Sequence, residues 1–100
     1  MTSKYKPGDP LKVPTWAALQ HLKLYYEYRD GALWSKQYRK FVGASKPDGH
    51  LYIHKRYKYY RVENIVWYFI KGKWPTHPLR HVDGNKHNNN INNLKELEYA

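Results

Sequence analysis

The chain contains no cysteine. That excludes a disulfide scaffold and any thiolate-ligated zinc or iron–sulfur site. Acidic residues are scarce: 8 Asp and Glu stand against 18 Lys and Arg, for a net charge of +10. There is no long hydrophobic run. The longest, Ile65–Ile70, is far too short to cross a bilayer. Met1–Pro14 carries no apolar segment, so no secretory signal is expected, and a cytoplasmic location is. No stretch reads as a basic helix with a broad apolar face, which argues against a membrane-surface protein.

What is present points to one small, basic, aromatic-rich domain. At 100 residues the chain can bury a single modest core. With 41% hydrophobic residues it is no disordered tail. Eleven Tyr and four Trp can build a core from few positions, or offer stacking faces to bases. So large a positive charge repels itself unless a polyanion is near, and nucleic acid is the commonest such partner.

Residues 1–13, with Lys4, Lys6, Lys12, Pro7 and Pro10, read as an extended basic arm, and 14–100 as the domain. Thr15 is placed to cap a helix through about His21, with Trp16, Leu19 and Leu22 on one face. Asp30-Gly31 between Leu24–Tyr28 and Ala32–Trp34 signals a β-hairpin. Residues 35–50 read as a polar loop. Leu51–Val62 reads as a second hairpin turning near Lys55-Arg56, although no Gly or Asn marks that turn. Ile65–Lys71, apolar nearly all round, suits a buried helix ended by Gly72. Leu79–Val82 is expected as a short strand and Asp83–Asn90 as an Asn-rich loop. Asn93-Leu-Lys-Glu96 has capping-box spacing, which predicts a final helix from about Asn93. The Trp residues are expected in the core.

The basic residues cluster. Lys36, Arg39, Lys40, Lys46, Lys55, Arg56, Lys58 and Arg61 share their segment with one acid, Asp48, and are interleaved with Tyr38, Tyr52, Tyr57, Tyr59 and Tyr60. For these tyrosines, core packing and base stacking both stand as readings. Lys55, Arg56, Lys58 and Arg61, with Arg80 and Lys86, are the candidate phosphate contacts.

The segment Arg80-His-Val-Asp-Gly-Asn-Lys-His-Asn-Asn-Asn-Ile-Asn-Asn-Leu94 resembles the core of the HNH (His-Me finger) endonucleases. In that family a His within D-H-x-D/N-G-N is followed twelve residues on by an Asn just before Leu, as His81 is by Asn93 here. Upstream, Val62–Pro75 looks like the family's helix ending in G-x-W-P, and Tyr26–Val62 looks like its paired hairpins. The likeness spans roughly residues 15–99, in the subgroup common in phages, which implies a bacterial host cell. It implies an α+β fold with N-terminal β-hairpins, a central buried helix and a C-terminal ββα finger.

The resemblance implies His81 as general base toward a water that attacks a backbone phosphorus, and Asn93 as the residue pinning the loop. It also implies Mg²⁺ or another divalent ion on the leaving oxygen. Four departures bear on activity. Arg80 stands where the family has a metal-ligating Asp. A further ligand would lie roughly nine residues past Asn93, about two turns into the last helix, beyond Ala100. Glu63-Asn64 replaces a His-Arg pair, and His87 replaces an Asp. Asp83 and His87 remain as a replacement metal pair. The expectation is a duplex-DNA-binding, HNH-like protein with weak or lost nuclease activity. An active metal-dependent nicking endonuclease, or a phage protein binding a host or defence protein through the retired surface, are the alternatives.

Overall fold

The computed structural model describes residues 11–97. Most of the expected basic arm, residues 1–10, lies outside them. Its visible end is tied down, with the Leu11 N–H donating to the Thr76 carbonyl.

Helix α1 (Trp16–Tyr25) starts at Thr15, whose Oγ1 accepts from the Ala18 N–H at 3.2 Å. It runs four residues past the expected end at His21. Of the expected face, Leu22 is fully buried and Leu19 packs against the core, but Trp16 is 76% exposed and is not a core residue.

Strands β1 (Tyr26–Arg29) and β2 (Ala32–Ser35) form the first hairpin, with Tyr28 opposite Leu33. Its turn, Asp30-Gly31, has φ of 48° and 82°, the double positive-φ geometry that twists with the strands. Gly31 is needed twice over, because a Cβ there would also meet the Asn90 backbone at 3.2–3.3 Å. The segment expected as loop, 35–50, holds two short strands: β3 (Lys40–Val42) adds to β2, and β4 (Ala44–Ser45) starts a second sheet. Backbone pairing with neighbours, invisible in local composition, overrides its polar character.

The second sheet continues through β5 (Leu51–Lys55) and β6 (Lys58–Arg61), with Ile53 opposite Tyr60. The turn residues are Arg56 and Tyr57, one position later than expected, at φ of 51° and 67°. Helix α2 (Val62–Lys71) follows β6 without a loop, and Gly72 closes it at φ 81°. This helix is one-sided rather than buried all round: Val62, Glu63, Ile65, Val66 and Tyr68 are buried while Ile70 is exposed. It packs on both sheets and carries the core, with Leu22, Tyr26, Leu33, Ile53, Trp74, Leu79 and Leu94 around it.

Strand β7 (Leu79–His81) arrives as expected. The predicted final helix does not form. Ile91–Asn93 makes a single 3₁₀ turn and Leu94–Glu96 becomes strand β8, antiparallel to β7. Leu94 is buried opposite His81, Lys95 points out, and Glu96 Oε2 accepts from the Thr76 and His77 N–H groups at 2.7 and 3.2 Å. The acid expected to cap a helix instead holds the 76–77 turn. The architecture is therefore mixed α+β, with two helices and three small antiparallel sheets among the described residues. No helix among them is long and apolar enough to cross a membrane.

Candidate functional site

The loop between β7 and β8 is ordered by its own short polar side chains. Asp83 Oδ1 accepts from the Asn85 N–H, Asn85 Oδ1 from His87, Asn88 Oδ1 from Asn90, and Asn90 Oδ1 from Asn92. Each is an Asx turn, in which a side-chain carbonyl replaces a backbone partner two residues on. Asn93 closes the loop. Its Oδ1 accepts from the Asp83 N–H at 3.0 Å, and its Nδ2 donates to Asp83 Oδ1 and the Asn88 carbonyl, both at 2.9 Å.

His81, at the end of β7, faces inward and is 7% exposed. Its Nε2 lies 2.6 Å from Oδ1 of the fully buried Asn89. Arg80 alternates to the opposite face, exposed and directly across from Lys95. The pleat thus separates the Arg80 and His81 side chains.

The structure brings two further residues to His81. His50 lies in the turn before β5, its N–H held by Asp48 Oδ1 at 3.0 Å. Glu63 is the second residue of α2 and is completely buried. One donor atom from each of His50, Glu63 and His81 lies within 4.8 Å of the others. His50 Nδ1 reaches 2.8 Å from Glu63 Oε2, but the approach is too misaligned for a hydrogen bond. His50 Nδ1 and both Glu63 oxygens are thus sealed from solvent without hydrogen-bond partners. Burial, aided by the charge of Arg61, lowers the His50 pKa to about 4, so this imidazole is neutral near pH 7. Burial raises the Glu63 pKa, with His81 and Arg61 opposing.

Asp83 and His87, the expected metal pair, both lie in the loop between β7 and β8. Both Asp83 oxygens serve the loop, through Asn85, Asn88 and Asn93, and these hydrogen bonds hold its pKa below the ordinary value. His87 Nε2 sits 3.4 Å from Ser45 Oγ. Among the described residues the one group of three or more metal-competent side chains is His50–Glu63–His81, which includes neither.

The candidate phosphate contacts are scattered over the surface. Arg56, Lys58, Arg80 and Lys86 are exposed, and Lys55 and Arg61 are half-buried. Lys86 Nζ donates to the Asp48 carbonyl at 2.7 Å, joining the 46–50 turn to the Asn-rich loop. Arg61 Nε donates to the Tyr52 hydroxyl at 3.2 Å, and that hydroxyl donates to Asp48 Oδ2. Lys55 Nζ lies over the Tyr25 ring at 4.2 Å, and Lys46 Nζ over Tyr59 at 3.3 Å. Among the described Lys and Arg residues, only Arg29 and Arg61 have a carboxylate within 4 Å. Tyr57, at the β5–β6 tip, is 97% exposed, and Tyr38 and Tyr59 are also exposed, so these three are not core.

No family model, curated protein or solved structure matches this chain. Sequence reasoning missed His50 and Glu63 as a pair. One signal was available: Glu63 is a lone carboxylate opening the most apolar stretch of the chain, with Val62, Ile65 and Val66 around it. A charge in that place needs a partner. Which His supplies it depends on the pairing of β5 and β7 with the rest of the fold, which local pattern does not encode.

Proposed function

We propose that this chain is an HNH-like nucleic-acid-binding protein that grips duplex DNA through its phosphates, with nuclease activity weak or lost. The carrying observation is the excess of cations without acid partners. The net charge is +10, and of the described Lys and Arg residues only Arg29 and Arg61 have a carboxylate within 4 Å. The Arg56-Tyr57-Lys58 tip of the β5–β6 hairpin, with two cations flanking an exposed ring, suits phosphate contact and base stacking together. In this reading β7, the Asn-rich loop and β8 are the two strands and loop of a ββα finger, with His81 and Asn93 at their family positions.

The loss of activity follows from the burial of His81. A general base must reach the proton of an attacking water. Here Nε2 is engaged by Asn89 and the residue is only 7% exposed. Neither Arg80, on the outer face, nor Asp83, committed to its loop, offers a carboxylate for Mg²⁺.

The test pairs binding with cleavage. Fluorescence anisotropy with a labelled duplex, across a salt series, should show log affinity falling steeply and linearly with log salt. Plasmid nicking with Mg²⁺ or Mn²⁺ should stay at the level seen with EDTA. Absent or salt-insensitive DNA binding overturns the reading and favours an acidic host protein as partner. Metal-dependent nicking abolished by His81→Ala overturns the loss of activity.

A further inference from the structure

We propose that His50, Glu63 and His81 form a site for a single divalent transition-metal ion of the Zn²⁺ class. The inference rests on the buried cluster alone and stands or falls independently of the DNA-binding reading.

The first support is the cost of leaving the cluster bare. Glu63 is fully buried, and neither carboxylate oxygen has a hydrogen-bond partner. A carboxyl group so placed is penalised heavily, whether charged or neutral. His50 Nδ1 is sealed beside it with no partner either. Three unsatisfied polar atoms converging in one buried place are what a cation would satisfy at once.

The second support is chemical identity. Two imidazoles and a carboxylate form a common borderline ligand set, favoured by Zn²⁺ and neighbouring transition ions. Mg²⁺ prefers an all-oxygen octahedral shell and is disfavoured here. Asn89 Oδ1 is an acceptor, so the tautomer of His81 that donates to it through Nε2–H carries its lone pair on Nδ1. A metal-ligating His usually donates its other ring N–H to an acceptor that fixes its tautomer, and Asn89 Oδ1 is placed to be that acceptor.

The third support is spacing. Bonds of about 2.1 Å in a tetrahedral shell set neighbouring ligand atoms about 3.4 Å apart. The cluster brackets that value, with one pair at 2.8 Å and all within 4.8 Å. Side-chain adjustments of about an ångström complete the shell, with water or the second Glu63 oxygen as fourth ligand. The ion would tie the 46–50 turn, the start of α2 and the end of β7 into one unit. His81 would then be a ligand, which removes it from acid–base chemistry.

The experiment titrates the metal-stripped protein with Zn²⁺ by calorimetry and with Co²⁺ by visible absorption. One ion per chain, a Co²⁺ d–d spectrum of tetrahedral or five-coordinate type, and a higher thermal midpoint with Zn²⁺ are expected. Glu63→Gln, which keeps the shape, should weaken Zn²⁺ binding more than about a hundredfold. Asn89→Ala, which frees the His81 ring, should weaken it about 10–100-fold, as loss of an outer partner does. His87→Ala should leave it unchanged. No saturable Zn²⁺ binding up to millimolar concentration overturns the proposal, and so does wild-type affinity in Glu63→Gln. The wild-type titration decides the matter even where a variant fails to fold. The DNA-binding reading has its own readout in the salt dependence of DNA affinity.

Discussion

The β5–β6 hairpin turns through Arg56 and Tyr57 at φ of 51° and 67°, a region that suits Gly and Asn. A non-glycine residue held there costs roughly 1–2 kcal/mol. Arg56→Asn with Tyr57→Gly removes that strain at both positions. Glycine returns about 0.5–1 kcal/mol through the greater freedom of the unfolded chain. The net gain should be about 1–2 kcal/mol, or some 5–15 °C in thermal midpoint for a domain of this size. The same change deletes one cation and the most exposed ring of the tip, so DNA affinity should fall. The slope of log affinity against log salt should shrink by about 1 if Arg56 neutralises one phosphate. Thermal melts followed by circular dichroism and anisotropy titrations at several salt concentrations measure both. An unchanged or lowered midpoint refutes the strain reasoning. A raised midpoint with unchanged affinity and slope removes the hairpin tip from the DNA surface.

Three further outcomes are expected. Asn93→Ala removes three loop-closing hydrogen bonds, one of them to the Asp83 carboxylate, and should cost about 2–4 kcal/mol in urea unfolding; a loss below about 0.5 kcal/mol would show that the loop closes without it. Arg80→Asp places a carboxylate opposite Lys95 on the outer face of the β7–β8 pair; DNA affinity should drop, stability should rise by about 0.2–1 kcal/mol, and Mn²⁺-dependent nicking should not appear, so its appearance would contradict the separation of Arg80 from His81. Burial raises the Tyr26 pKa above its usual 10.0, so its contribution to stability is complete below pH 10 and is lost as pH rises through the folded value; Tyr26→Phe should flatten the alkaline fall in stability, and an unchanged slope would place that titration elsewhere.

The elements written in local pattern were legible in the sequence. Thr15, Asp30-Gly31 and Gly72 mark their boundaries by backbone chemistry that any fold must obey. The final helix was misread because Asn93 and Glu96 have capping spacing, yet their side chains serve Asp83 and the 76–77 turn. Pairing with β7 decides that segment, and three alternating residues are too few to announce a strand. The same limit hid the cluster. His81 and Asn93 were found through a local spacing, whereas His50 and Glu63 meet His81 only after three segments distant in sequence have packed.

The Asn-rich motif also shows why a local spacing and a chemical activity can part. Asp83, Asn85, Asn88, Asn90 and Asn93 each accept a backbone N–H through a side-chain oxygen, so the loop between β7 and β8 dictates residues of these types at these steps for its shape alone. That shape sets His81 at the strand end whatever the imidazole then does. What the imidazole does is decided by the residues around it. A solvated His81 beside a carboxylate that holds a metal ion would be a base near a Lewis acid. His81 held by Asn89, beside His50 and a Glu63 whose oxygens have no hydrogen-bond partner, has the surroundings of a ligand. Because Arg80 lies across the pleat, no change at that position alone converts one arrangement into the other. Changes at Glu63 and His50 are the ones that bear on it.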